Sequence, residues 1–152
     1  MVYKLYIEIA THTEINSTFP RPEDDNYNYW VPMVNLFIDK SDQIEIHCWN
    51  EEIETIEEIN SSHKETLDMV IKGNLTVFKG NITSAIRHYL IHNNINKNRE
   101  LKWFTVTFKK DQVALFRSEH WGTEFFATAV SEKEIEYLKN ITPCKTTFHQ
   151  YQ

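Results

Sequence analysis

The sequence predicts an α+β fold: a largely antiparallel sheet of about six or seven strands with three or four helices packed on one face. Strand-like segments come in runs rather than in strict alternation with helices, which disfavours a parallel sheet. Three of them, residues 103–108, 113–116 and 125–130, follow one another at short spacing, as an antiparallel meander does. Helix-start signals stand between and after these runs. A chain of 152 residues fits one domain, residues 1–152. Such a chain can bury roughly 68–70% of its unfolded surface, enough for a core without disulfide or metal staples.

Residues 2–10 form the first strand, with Tyr3, Leu5, Ile7 and Ile9 on one face and Lys4, Tyr6 and Glu8 on the other. Residues 11–29 are polar and carry Pro20 and Pro22, which bias the residues before them to extended geometry. This is a long connection for a compact domain, and long loops are often functional. Residues 31–38 read as a strand, with Pro32 placing its start at a sheet edge. A turn over Asp39-Lys40-Ser41-Asp42 leads to a strand over 43–49, where Ile44, Ile46 and Cys48 alternate against Glu45 and His47. The two strands read as a hairpin.

Asn50 is an N-cap candidate, and Glu51, Glu52 and Glu54 suit the positive end of a helix dipole. Ile53, Ile56 and Ile59 then form an apolar stripe, which predicts a helix over 51–59. Ser62-His63-Lys64-Glu65 fits a capping box that would open a second short helix to about residue 71. A strand over 67–71 turning at Gly73-Asn74 is the competing reading. Residues 75–79 form a short strand ended by Gly80-Asn81. Thr83 or Asn81 caps a helix over 84–93 with Ile86, Tyr89 and Leu90 inward. Residues 93–98 are a polar break before the meander.

In the meander, Phe104, Val106 and Phe108 face one way and Trp103, Thr105 and Thr107 the other. Ser131-Glu132-Lys133-Glu134 is a capping box for the last helix, and residues 143–152 form a surface tail. The expected core from this half is Phe104, Val106, Phe108, Leu115, Phe116, Phe126, Ile135 and Leu138.

No apolar run approaches the roughly 20 residues that span a bilayer, and no secretory h-region opens the chain, so the protein is read as cytoplasmic. Cys48 and Cys144 make no disulfide framework, and Cys48 lies in a strand pattern where a buried thiol is the plain expectation. Abundant Asn, Ile and Lys fit an AT-rich bacterial genome, in which the sequons at Asn16, Asn60, Asn74, Asn81 and Asn140 are accidents of composition.

Catalytic signatures are missing from the sequence. His88 and His92 have a zinc-binding spacing on a helix, but Tyr89 stands where a metalloprotease Glu would be, and no Cys-x-x-Cys exists. His47 and Cys48 are neighbours on a strand and so point to opposite faces. Ser118-Glu119-His120 is adjacent in sequence, which is no support for a triad. Gly73, Gly80 and Gly122 lie in no phosphate-cradling motif. No catalytic, cofactor-binding or metal-binding residue is assigned, and no cofactor is expected. Lys97, Arg99, Lys102, Lys109, Lys110 and Arg117, with Trp103 and Tyr89, have the composition of a single-strand nucleic-acid surface. Charge argues against it: residues 1–72 hold fifteen acids and five bases, a net of −10, and residues 73–152 a net of +4.

An acidic half favours a basic partner by steering its approach, although acids also simply keep a protein soluble. The candidate patch is Glu23, Asp24, Asp25, Tyr27, Tyr29 and Trp30 from the long loop, with Glu51, Glu54, Glu57 and Glu58 from the predicted helix. In this combination of size, acidity, aromatic surface candidates and missing catalytic motif, the chain resembles the immunity proteins that bacteria encode beside contact-delivered or other polymorphic toxins. The resemblance implies a non-enzymatic toxin inhibitor that occludes a cognate, basic toxin, often a nuclease, with acids speeding encounter and Tyr or Trp anchors holding the complex. A structural or regulatory interaction domain is the alternative, and a small hydrolase the third.

Overall fold

The computed structural model describes residues 1–15, 17 and 19–152; the Asn16 sequon lies outside them. The elements in chain order are β1 (Val2–Glu8), β2 (Thr11–His12), β3 (Arg21–Pro22), α1 (Trp30–Ile38), β4 (Gln43–Trp49), α2 (Ile53–His63) and β5 (Leu67–Lys72). Then come β6 (Leu75–Asn81), α3 (Ser84–His92), β7 (Thr105–Lys110), β8 (Val113–Glu119), β9 (Glu124–Ser131), α4 (Glu132–Ile141) and β10 (Thr147–Tyr151). Eight strands form one sheet in the order β10-β1-β9-β8-β7-β4-β6-β5, while β2 and β3 make a small ribbon within the long N-terminal loop. Every pairing is antiparallel. This is the expected α+β architecture. Among the described residues no helix is long and apolar enough to cross a membrane.

All four helices contribute to a single core on one face of the sheet. Trp30, Met33, Val34, Phe37, Ile59, Ile86, Leu90, Ile135 and Leu138 pack there against Ile44, Ile46, Cys48, Phe78, Val106, Phe108, Phe116 and Phe125. Burying one such side chain contributes roughly 1.5–3 kcal/mol. Helix α4 starts as expected, with Ser131 Oγ accepting from the Glu134 N–H and Glu134 accepting from the Ser131 N–H. Thr83 caps α3 through the Ile86 N–H.

The main correction falls on residues 31–38, which are helix α1 and not a strand. Its buried residues, Trp30, Met33, Val34, Phe37 and Ile38, recur at i, i+3, i+4, i+7 and i+8, a helical stripe. Pro32 lies in the first turn, where the backbone N–H has no helical acceptor, so it breaks nothing. The supposed hairpin with β4 is therefore absent, and β4 pairs with β6 and β7 instead.

Asn50 does not cap α2. Its amide donates to the Gly73 carbonyl at 2.9 Å and its oxygen accepts from Thr76 Oγ1 at 2.8 Å, tying the β4 end to the β5–β6 turn. The helix starts at Ile53, runs on to His63, and leaves Ile53 59% exposed. The capping box proposed at Ser62 is not used, because that residue lies inside α2 and residues 67–72 are strand β5. Residues 147–151 are no loose tail but edge strand β10 on β1.

Three expected core residues sit elsewhere, two of them because the strands are bulged. Between β7 and β8 the register passes from Phe108↔Phe116 to Lys109↔Ala114, so Leu115 is the extra, unpaired residue. Between β1 and β9 it passes from Leu5↔Ala127 to Tyr3↔Val130, with Ala129 at φ +57°. That bulge places both Ala127 and Val130 on the core side, with Phe125, and turns Phe126 to the open face, where its ring lies 4.8 Å from Tyr6. Phe104 precedes β7 and packs on Trp49, while Trp103 takes the core position beside Trp30 and Tyr89.

Candidate functional site

The start of α2 and the loop over residues 94–101 enclose a groove of about 450 Å³. Glu51, Glu52, Glu54 and Glu100 line it, with Phe19 and Ile53 as its apolar members and Lys97 as its cation. Lys97 Nζ is 2.8 Å from Glu54, a pair so exposed that it adds little stability. Four carboxylates against the Lys97 ammonium and the Arg21 guanidinium, 3.6 Å from Glu100, leave the groove net negative.

Glu52 occupies the inner wall. Its Oε1 accepts from the Trp49 N–H at 2.9 Å and its Oε2 from Trp121 Nε1 at 3.2 Å. Burial raises its pKa, the two hydrogen bonds oppose that, and the charges of Glu51 and Glu100 raise it further. A half-buried carboxylate held among like charges gains from any cation that enters beside it.

Trp121 forms the aromatic side of the site. Its ring packs at a tilt against Phe19 at 4.4 Å and meets Phe104 edge-on at 4.9 Å, and Phe104 in turn packs on Trp49 at 5.0 Å. It is held by an unusual turn: His120, Trp121 and Gly122 all have positive φ, at 51°, 55° and 76°. For residues with a Cβ this conformation costs roughly 1–2 kcal/mol each. The surroundings enforce it, with Trp121 N–H donating to the Phe104 carbonyl, Thr123 Oγ1 donating to the His120 carbonyl, and the Gly122 carbonyl accepting from the Tyr29 hydroxyl. Backbone strain maintained in this way concentrates at functional positions.

The structure divides the residues of the sequence-derived patch. Glu51 and Glu54 line the groove. Asp25 joins it indirectly, because Arg21 lies between Asp25 (3.7 Å) and Glu100 (3.6 Å). Glu23 and Asp24 are exposed, Glu23 facing Lys145 at 3.4 Å. Glu57 opens instead onto a neighbouring cleft of about 710 Å³ lined by the second half of α2. Glu58 is committed internally, receiving hydrogen bonds from Tyr89 Oη at 2.6 Å and Lys102 Nζ at 2.9 Å. Tyr27, Tyr29 and Trp30 are corrections: they are 7%, 1% and 0% exposed, so they anchor the core and are closed to a partner. Burial is also why the Tyr29 pKa stands well above its ordinary value. Sequence reasoning missed Phe19, Glu52, Trp121 and Glu100 as members of one site, since only tertiary packing brings them together.

The basic residues considered for nucleic acid are largely neutralised at home. Lys97, Lys102, Lys109, Lys110 and Arg117 pair with Glu54, Glu58, Glu45, Asp42 and Glu119 respectively. The His88 and His92 rings pack at a tilt, 4.2 Å apart. Among the described residues one group, Glu119, His120 and Glu124, brings three possible metal-ligand atoms within 4.8 Å of one another. Arg117 lies 3.1 Å from Glu119 and His120 Nδ1 lies 3.2 Å from Glu124, contacts within the chain that need no metal. No family model, curated protein or solved structure matches this chain.

Proposed function

We propose that the protein is a non-enzymatic inhibitor that binds a basic protein partner, in the manner of bacterial immunity proteins, and that the Glu51–Glu52–Glu54–Glu100 groove receives a cationic segment of that partner. The observation that carries this reading is the concentration of four carboxylates around one groove, with only Lys97 at Glu54 and Arg21 at Glu100 as counter-charges among the described residues. Phe19, Ile53 and Trp121 supply apolar contact beside it, the pairing of aromatic anchors with charge that marks energetic hot spots. In this reading Glu51 and Glu54 at the rim speed encounter, while Glu52 forms the desolvated pair that slows release.

The test takes the C-terminal domain of the neighbouring gene's product, which this reading expects to be a large secreted protein. Surface plasmon resonance, which reads both rate constants, and a growth-protection assay are run on the wild type, on Glu51→Lys/Glu54→Lys and on Glu52→Gln. The double reversal is expected to slow association and abolish protection, and Glu52→Gln to accelerate dissociation by about tenfold or more. Unchanged binding and protection in both variants, each shown folded by circular dichroism, would remove the proposal.

A further inference from the structure

Strand β5 is one edge of the sheet, and its residues complement themselves. It closes onto β6 through the two-residue turn Gly73-Asn74, so Lys72 and Leu75 are a hydrogen-bonded pair. Alternation along the ladder then turns the N–H and C=O of Asp68 and Val70 inward to β6, and leaves those of Leu67, Met69 and Ile71 pointing outward. Met69, Val70 and Ile71 are 44%, 46% and 65% exposed.

Protein edges are usually blunted by proline, a bulge or repeated charge. Strand β5 has no proline, and its register with β6 is unbroken from Leu67 to Lys72. Its two charges have opposite sign and flank Val70 at equal spacing, Asp68 before and Lys72 after. Lys72 lies near Lys79, a like charge, so an incoming carboxylate would relieve the repulsion between them.

We propose that the protein forms a two-fold dimer by antiparallel pairing of β5 with β5 of a second copy about Val70, joining two eight-stranded sheets into one. On one face Asp68 then lies opposite Lys72 of the second copy, Val70 opposite its counterpart, and Lys72 opposite Asp68. On the other face Met69 lies opposite Ile71. Met69 and Ile71 are also the residues whose outward backbone groups are free, so they form the hydrogen-bonded pairs across the axis. Shifting the register by one residue sets inward groups against outward ones, and shifting by two loses both charge pairs. The opposite edge, β10, holds no Asp, Glu, Lys or Arg and offers no such match. None of the groove residues lies on β5, so this inference stands apart from the proposed function.

Light scattering and sedimentation of the full chain from micromolar to submillimolar concentration test it. The wild type is expected to reach twice the 18.2 kDa chain mass. Asp68→Lys and Lys72→Asp each set like charges face to face and should weaken the dimer at least tenfold, whereas the double exchange should restore it. Met69→Pro removes an outward N–H without touching the β5–β6 ladder and should yield a folded monomer. A wild type that stays monomeric overturns the proposal, and so does a dimer that the single exchanges leave intact or the double exchange does not restore.

Discussion

Glu45 is where acidity should act most directly on stability. It lies on the open face of the sheet, with Oε1 2.7 Å from His47 Nε2 and Oε2 2.9 Å from Lys109 Nζ, and its side chain is 15% exposed. Burial alone would raise its pKa, but the hydrogen bonds from His47 and Lys109 and the charges of Lys109 and Lys79 outweigh it and lower the value from 4.5 to about 2. A carboxyl whose pKa is depressed by folding contributes stability above its unfolded pKa, and that contribution disappears as pH falls through the folded one. The window here is about 4.5 down to about 2. The full difference corresponds to about 3 kcal/mol. Lys109 is 32% exposed, so solvent screening reduces the expected contribution to roughly 1.5 kcal/mol. Urea unfolding of the wild type and Glu45→Gln across this pH range measures it. The variant should be less stable by that amount near neutral pH, and the two curves should converge as pH approaches 2. A stability gap that stays constant from neutral pH to pH 2, or that is absent throughout, would refute the reasoning.

Two further expectations concern the core and its thiols. Gly122→Ala places a Cβ 2.3 Å from Leu101 Cδ2 at a φ of +76°, so strain and steric displacement together should cost roughly 2–4 kcal/mol, read as a lower melting temperature. Gly73→Ala, where a Cβ meets nothing within 4 Å, should lose about 1 kcal/mol through its φ alone and serves as the control. Cys48 is fully buried and burial drives its pKa far up, whereas Cys144 is exposed. A thiol reagent should therefore label one site per native chain, at Cys144, and both sites in denaturant. Labelling of Cys48 in the native protein would show that β4 opens.

The fold was legible wherever local signals and tertiary needs agreed. Strand β4 alternates plainly because its Ile44, Ile46 and Cys48 face a covered side, and α4 declares itself through a capping box that it uses. Helix α1 reads as a strand although its i, i+3, i+4 stripe is present, because its β-branched and aromatic residues and Pro32 also suit a strand edge. Phe125 and Phe126 could not be ranked by alternation: both are aromatic, and the bulge at Ala129 that decides between them leaves no mark in hydrophobicity. At the site, the rim acids Glu51 and Glu54 were readable from charge and helical position. The aromatic anchors were not, since Tyr29 and Trp30 look as suited to a surface as Phe19 and Trp121 until their burial is known.

The place of β1 also governs how the molecule comes together in time. The strand met first along the chain lies between β9 and β10, the two met last. Until residues 124–131 exist, Leu5 and Ile7 have no neighbouring strand, while the β5–β6 and β7–β8 hairpins need only local closure. Bringing Tyr3 to Val130 closes a loop of most of the chain, a step whose entropy is lost before its contacts form, and topologies of this kind fold slowly. During synthesis residues 2–8 therefore travel as an unpaired apolar strand until residues 124–131 and 147–151 cover them, and a chain interrupted before residue 124 leaves them bare on both sides.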